Sequence, residues 1–276
     1  MPEKVVPGPV GETACIREAV CIHTKKIFDS CRDKDCVEDL RFYPTQQSQG
    51  IIERAISVKS GNAELLYVYI DVEPVSFNRG YYTVDVRYFY RVTAHAFVGA
   101  ARPVEISGLC VFDKRVILYG SEGSAKIFSS KFVNDGLDQQ KMSKCNLPVA
   151  VVEAVDPIVL NTKLVDICEC RACDCELAEV PQAVCACFGS ELCFGGEGKR
   201  VYVTLGQFSM IRLERDTQLL IPAYDYCVPD KKCSCDTGGE EDPCEVFRRV
   251  NFPMNEFFPP NWKRSDCSGC GKGDEE

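Results

Sequence analysis

The clearest pattern in this sequence is a strict alternation of apolar and polar residues over positions 82–92. Tyrosine and valine occupy every even position: Tyr82, Val84, Val86, Tyr88, Tyr90 and Val92. The odd positions are polar except for Phe89. A period of two predicts a half-buried β-strand, and we interpret its aromatic side chains as core packing rather than as a ligand platform.

Further segments have the composition of strands. Residues 63–73 are apolar and rich in β-branched side chains, and residues 104–120, 125–133 and 196–227 continue the pattern between Gly, Ser and Asp turns. A short helical turn is predicted for residues 33–42, with Asp33 or Asp35 as its N-cap. The chain is therefore predicted to be mainly β.

Two pairs of segments indicate an internal repeat. Residues 72–78 (VEPVSFN) match residues 155–161 (VDPIVLN), and residues 114–120 (KRVILYG) resemble residues 199–206 (KRVYVTLG). The two matches occur at nearly the same spacing, which favours duplication of a β module over coincidence.

The repeat divides the chain into two related, sandwich-like β modules between two extended arms. The expected parts are an N-terminal cysteine-containing arm (1–48), a first module (49–145), a second module (146–229) with a cysteine-rich insertion (168–193), and a C-terminal cysteine-containing arm (230–276). The C-terminal arm is rich in Gly, Asp and Pro, and we expect it to dock on its own body or on a neighbour.

Composition and charge limit the possible functions. With 45% hydrophobic residues in 276, the chain can build a core without depending on disulfides. A formal net charge of −9 and the absence of basic runs argue against a nucleic-acid partner. No segment resembles a secretory signal or a membrane span, so we expect synthesis in the cytoplasm without export and without membrane insertion.

The 19 cysteines are therefore a surplus that requires its own explanation. Six of them fall within residues 168–187, in the sequence CECRACDCELAEVPQAVCAC. A reducing cytoplasm rarely holds proteins so rich in cysteine. The thiols then either bind metal in the cell or meet oxidising conditions later.

Metal binding is one hypothesis for this cluster. Four thiols within eight residues could hold zinc, and they are Cys168, Cys170, Cys173 and Cys175. Their near-contiguous spacing differs from the paired knuckles of structural zinc sites, so no metal or other cofactor is our main expectation, and zinc is the alternative.

Catalysis is not expected. The sequence has no GxGxxG, Walker, GxSxG or HExxH motif. The Cys267-x-x-Cys270 pair lies in an acidic tail rather than at a helix start after a strand, as thiol-redox chemistry requires. We predict no catalytic or cofactor-binding residues.

Disulfide formation is the remaining hypothesis, either as internal staples or as cross-links between chains. The odd number of cysteines means that at least one is left over from pairing within a chain. Cysteines in CxC pairs can hardly bond each other without strain, so they favour more distant partners. The disulfide or cross-link candidates are Cys15, Cys21, Cys31, Cys36, Cys168, Cys170, Cys173, Cys175, Cys185, Cys187, Cys233, Cys235, Cys244, Cys267 and Cys270.

Several long strings resemble the cysteine-rich exosporium and spore-coat proteins of clostridia. They are CIHTKKIFDSCRDKDCVEDLR (21–41), YIDVEPVSFNRGYYTVDVRYFYRV (69–92), FDKRVILYGSEGSAKIF (112–128), VVEAVDPIVL (151–160) and GGEGKRVYVTLGQFSMIRLERDTQLLIPAYDYC (195–227).

The resemblance implies a structural protein of the endospore surface, made in the mother-cell cytoplasm and placed in the exosporium or outer coat. It implies self-assembly into a hexagonal lattice reinforced by disulfides between subunits, with copies of the chain and other spore-coat or exosporium proteins as partners. A thiolate zinc protein and a spore-surface filament or adhesin subunit are the alternatives.

Overall fold

The main part of the described chain is two antiparallel β-sheets packed face to face. The computed structural model describes residues 21–99, 102–123, 125–131, 139–167, 180–194, 198–220 and 243–257. Strands dominate these residues, which confirms the predicted mainly-β fold. None of the helices among them is both long and apolar enough to cross a membrane.

The elements follow in chain order. The strands are β1 (Cys21–Arg41), β2 (Tyr43–Pro44), β3 (Ser57–Pro74), β4 (Tyr81–Phe97), β5 (Val104–Tyr119), β6 (Lys126–Lys131), β7 (Gln139–Cys145), β8 (Val149–Ala154), β9 (Ile158–Asp166) and β10 (Lys199–Leu220). The helices are α1 (Gln46–Ile52), α2 (Gln182–Ala186), α3 (Pro243–Arg249) and α4 (Met254–Phe257).

The two main sheets each have four strands. In the first, sheet A, β10 pairs with β1 along one side and with β9 and then β8 along the other. The second, sheet B, has the order β2-β5-β4-β3. Strands β6 and β7 form a separate two-stranded sheet.

One hydrophobic core lies between the sheets. The even positions of β4 from Tyr82 to Val92 are all buried, as the alternation predicted. They pack with Val203, Leu205 and Ile211 of β10 in a single cluster. Because both sheets contribute to this cluster, they form the two layers of one sandwich.

The sheets draw mainly on different parts of the sequence. Strands β3, β4 and β5 come from the predicted first module, and β8, β9 and β10 come from the predicted second. Strand β1 lies within the predicted N-terminal arm, yet it forms one side of sheet A. The module boundaries stay a prediction.

The predicted duplication is not shown by the structure. Residues 72–78 run from the end of β3 into the turn before β4, whereas residues 155–161 run from the turn after β8 into β9. The first matched segment therefore ends a strand, whereas the second begins one. Their shared Pro suits an edge or a bend in either position.

The predicted helical turn at residues 33–42 is wrong, because residues up to Arg41 belong to β1. Asp33 and Asp35 do not cap a helix. Both carboxylates contact Lys114 on β5, across the space between the two sheets. This tertiary contact and the pairing with β10 outweigh the local preference of Asp for a cap.

Candidate functional site

Two short cysteine-bearing segments cover the outer faces of the sandwich. Residues 180–194, here called the α2 segment, lie on the outer face of sheet B. Residues 243–257, the α3 segment, lie on the outer face of sheet A. Both cover apolar patches that the sheets would otherwise expose to water.

The α2 segment is anchored by apolar packing. Val184 and Leu192 are buried against Phe89, Leu109 and Tyr43 in a second, smaller hydrophobic cluster. This packing explains why Phe89 is apolar on the otherwise polar face of β4. An apolar residue among the polar odd positions of β4 was therefore the sign in the sequence that another segment covers this face.

Main-chain hydrogen bonds hold the same segment to the strand β2 region. Gln46 N donates to Glu191 O at 2.9 Å, and Cys193 N donates to Pro44 O at 2.8 Å. Thr45 forms an isolated antiparallel bridge with Leu192. The segment therefore follows the edge of sheet B for a few residues.

Two arginines complete the attachment. Arg91 donates from Nη2 to the carbonyl oxygen of Cys187 at 2.5 Å, and its guanidinium lies 5.6 Å from the ring centre of Phe188. Arg41 donates from Nη2 to the carbonyl oxygen of Phe194 at 2.7 Å. A planar guanidinium can donate and stack at once, which lysine cannot do.

Three thiols in the α2 segment differ in exposure. Cys187 is exposed, whereas Cys185 and Cys193 are half-buried. The Cys187 thiol donates to the carbonyl oxygen of Ala183 at 3.2 Å. None of the three forms a disulfide with another described residue. Cys187 is therefore the thiol of this segment best placed to react with another molecule.

The thiol of Cys193 is less reactive than an ordinary cysteine. Burial, followed by the negative charges of Glu191 and Glu53, raises its pKa. Since the thiolate is the nucleophile in disulfide exchange, a raised pKa slows its reaction near neutral pH. Cys193 was not among the disulfide candidates predicted from the sequence.

The α3 segment is attached differently. A disulfide joins Cys244 to Cys36 of β1, with 5.4 Å between the Cα atoms. The ring centre of Phe247 lies 4.7 Å from that of Phe208, and the Phe247 ring packs directly over Gly206. Lys34 donates from Nζ to the carbonyl oxygen of Val250 at 2.6 Å. Two of the sequence-predicted disulfide candidates thus pair within one chain.

Two other candidates on β1 have contrasting environments. Cys21, at the start of β1, is exposed and lies opposite Leu220 in the ladder. Cys31 is buried in the core at 1% exposure, so another chain cannot reach its thiol. Cys110 of β5 is also buried, and burial raises the pKa of its thiol.

The other candidates lie outside the described residues: Cys15, Cys168, Cys170, Cys173, Cys175, Cys233, Cys235, Cys267 and Cys270. The alternative zinc quartet is among them. Within the described part of the chain, no group of three or more His, Cys, Asp or Glu side chains is arranged to hold a metal ion.

The structure also reveals a buried ionic cluster that the sequence did not predict. Lys114 Nζ contacts Oδ2 of Asp33 and lies 2.6 Å from Oδ2 of Asp35. Only 2% of the Lys114 side chain is exposed. Asp33 and Asp35 are two residues apart, so they share one face of β1, and Lys114 occupies an inward position of β5. A lysine at an inward position of a strand was the feature of the sequence that could have indicated a buried ion pair.

The charges in this cluster shift each other's protonation. Burial raises the pKa of Asp35 to about 6, against the opposing effect of the Lys114 charge. Burial acts to lower the pKa of Lys114, but the negative charges of Asp35 and Asp33 outweigh it and the pKa is raised. One ammonium and two carboxylates therefore share a site that water hardly enters.

Comparison with known proteins gives a relative that matches most of the chain. The chain is 26% identical over 268 residues to exosporium protein A of Clostridium sporogenes, a match that covers 92% of this chain and 79% of the relative. It confirms the resemblance to exosporium proteins that the sequence strings indicated. No family model matches the sequence, and no solved structure matches it either.

Proposed function

We propose that this chain, a relative of exosporium protein A, is a structural protein of the endospore surface. In this proposal it is made in the mother-cell cytoplasm and assembles with copies of itself into an ordered array in the exosporium or outer coat. Disulfides between subunits reinforce the array, which also contacts other spore-surface proteins. The similarity over most of both chains supports the spore-surface role.

The observation that carries the cross-linking part is the position of two exposed thiols. Cys21 lies at the start of β1. The carbonyl oxygen of Cys187 is bound by Arg91, and the ladder partner of Arg91, Leu109, also lies opposite Tyr43, just after the other end of β1. The 21 residues of β1 span on the order of 60 Å at about 3.3 Å per residue. A disulfide needs Cα atoms within about 7 Å of each other, so these two thiols cannot pair with each other in one chain.

Exposed thiols at opposite ends suit links to different neighbours. A subunit with one reactive position at each end can form chains or, with further contacts, sheets. The Cys36–Cys244 disulfide has the other role, because it closes within the subunit. The proposal thus assigns internal stapling to one cysteine pair and external linking to the exposed thiols.

Electrophoresis tests the covalent links. Purified full-length protein is oxidised, boiled in detergent, and run with and without reductant. We expect a ladder of multimers that collapses to monomer on reduction. A monomer band that is the same with and without reductant would contradict the proposal.

Two variants in the same segment provide a matched comparison. Cys187→Ser removes an exposed thiol, whereas Cys185→Ser removes a half-buried one two residues earlier. We expect Cys187→Ser to weaken the ladder at least several-fold and Cys185→Ser to leave it nearly unchanged. Equal ladders from the two variants would exclude Cys187 as a linking residue.

Electron microscopy of the same material tests the form of the assembly. An ordered sheet supports the proposal, whereas a filament would favour the filament or adhesin alternative. Metal analysis tests the zinc alternative, which rests on the quartet from Cys168 to Cys175 in the sequence. Stoichiometric zinc with fully reduced thiols would favour a metal-binding protein over a cross-linked array.

A further inference from the structure

The buried cluster of Lys114, Asp33 and Asp35 joins the two sheets. Asp33 and Asp35 lie on β1 of sheet A, and Lys114 lies on β5 of sheet B. Lys114 Nζ is in contact with a carboxylate oxygen of Asp33 and is 2.6 Å from one of Asp35. An amine and two carboxyl groups thus meet inside the sandwich.

The three side chains of this cluster are largely buried. Lys114 is 2% exposed, and the Asp33 and Asp35 side chains are 14% and 11% exposed. Val86 lies directly opposite Lys114 in the β4–β5 ladder, and Val116 follows on the same face of β5; both are buried. A simple ion pair gains little in such a place, because the loss of hydration offsets most of the attraction.

The arrangement has the components needed to form an amide bond without any cofactor. An amine is held against a carboxyl group, a second carboxyl group is within reach to move protons, and only a small part of the three side chains is exposed to water. Fixed contact of this kind replaces the encounter of two separate reactants and raises the effective concentration by orders of magnitude.

We propose that Lys114 and Asp33 become joined by an amide bond between Nζ and Cγ, which cross-links sheet A to sheet B within one subunit. The proposal is independent of the disulfide array. It assigns Asp35 the role of proton carrier for the reaction.

The reaction balances as the loss of one water molecule. The neighbouring carboxylates favour the ammonium form of Lys114, so the reaction starts from the minor state in which a proton has moved from Nζ to a carboxylate of the cluster and left a neutral amine. The nitrogen lone pair then attacks Cγ of Asp33, and the new C–N bond forms. One C–O bond of Asp33 breaks, and its oxygen leaves as water with the two protons that Nζ has given up.

Asp35 suits the role of proton carrier. Burial raises the pKa of its carboxyl group to about 6, so it can be protonated and deprotonated near neutral pH, as a general acid–base group must be. It accepts a proton from the lysine side and delivers one to the departing oxygen, and it ends the reaction unchanged. No oxidant or other co-reactant is needed.

The direct test is the intact mass of the purified full-length protein after complete reduction of its disulfides. We expect a mass lower than that of the sequence by one water molecule. A mass equal to that of the sequence would overturn the proposal. This measurement uses the unaltered protein, so it does not depend on any variant folding.

Trypsin then locates the bond. It cuts after Arg32 and after Lys34, which places Asp33 and Asp35 on different peptides. We expect the Asp33–Lys34 dipeptide to be attached to the peptide that contains Lys114, with fragment ions that place the link on Asp33. A link to Asp35 would overturn the assignment of the two carboxyl groups.

Variants separate the chemistry from the ion pair. Lys114→Arg keeps the positive charge but lacks the nucleophilic amine, and Asp35→Asn keeps the shape but cannot carry the proton. We expect both to retain the full sequence mass, with folding checked by circular dichroism. Loss of water in folded Lys114→Arg would contradict the proposal.

An exposed ion pair provides the matched control. Lys163 Nζ lies 2.9 Å from Oδ1 of Asp39, and both side chains are about half exposed, at 50% and 51%. Water surrounds this pair, so we expect no amide bond there. The variant Lys163→Arg should show the same loss of water as the unaltered protein, and a full sequence mass would contradict the assignment to Lys114.

Discussion

The two outer faces of the sandwich each carry a short cysteine-bearing helix, but the helices are attached in different ways. The α3 segment is fixed by the Cys36–Cys244 disulfide and by Phe247 over Gly206. The α2 segment is held by Val184, Leu192 and hydrogen bonds to the main chain. On sheet A a disulfide therefore fixes the covering segment, whereas on sheet B the covering segment keeps an exposed thiol at Cys187.

The difference follows from what each segment packs against. Cys36 faces outward from β1, beside Gly206 in the ladder, so it can meet a thiol from a helix laid over that face. Below the α2 segment the outward residues of sheet B are Phe89, Leu109 and Val111. They offer apolar contact and no thiol, and the cysteines of α2 keep their thiols for other partners.

The largest expected effect comes from removing the anchor of the α3 segment. Cys244→Ser should lower the free energy of unfolding by about 2–5 kcal/mol, because the disulfide closes a long loop and its removal frees the unfolded chain. Urea unfolding with a circular dichroism readout measures the change. Cys21→Ser, at an exposed position, is the control and should change stability by less than about 0.5 kcal/mol.

A smaller effect is expected from crowding the same contact. A Cβ at position 206 would lie 2.8 Å from the ring of Phe247, so Gly206→Ala should destabilise the protein by about 1–3 kcal/mol. Gly50→Ala, whose Cβ would meet nothing within 4 Å, is the control. If both substitutions leave urea unfolding unchanged, Phe247 does not pack over Gly206 as described.

The α2 segment should respond locally rather than globally. Val184→Ala removes buried contact and should weaken the docking by about 1–2 kcal/mol, which corresponds to roughly a ten-fold rise in the opening of the segment. Alkylation of the half-buried Cys185 followed by mass spectrometry measures that opening. Labelling of Cys185 at an unchanged rate would show that Val184 does not hold the segment in place.

The smallest effect concerns the thiol of Cys193, near the end of the α2 segment. Because burial and nearby carboxylates raise the pKa of Cys193, its alkylation should keep rising at pH values where an ordinary thiol has reached its plateau. Replacing one of those carboxylates, in Glu191→Gln, should lower that pKa and speed labelling at neutral pH. Site-resolved alkylation from pH 6 to 10 checks both, and a Cys193 profile unaltered by Glu191→Gln would contradict the assigned cause.

Much of the scaffold was predictable from the sequence, because its signals are local. The alternation at 82–92 gave both the strand and its buried face, and Phe89 marked the place where another segment covers the sheet. Strand β1 was missed because its inward positions carry Asp33 and Asp35, which resemble a cap rather than a core face. Only the distant Lys114 makes their burial understandable.

The cysteine network was the least predictable part. Cys36 and Cys244 are 208 residues apart, and no local pattern relates them. The resemblance to exosporium proteins indicated that cysteines matter, but the exposure of each thiol depends on which face it occupies after folding. Cys31 and Cys36 lie on the same strand, yet one faces the core and the other faces the α3 segment.

The most direct test of the proposed array is disulfide mapping of material assembled from a mixture of isotopically labelled and unlabelled chains. We expect Cys36–Cys244 peptides in which both halves carry the same label, because that bond lies within one subunit. Disulfide peptides that contain Cys187 or Cys21 should include mixed-label pairs in the proportion set by random association. If every disulfide peptide in the assembled material carries a single label, disulfides do not link the subunits and the proposed cross-linked array is wrong.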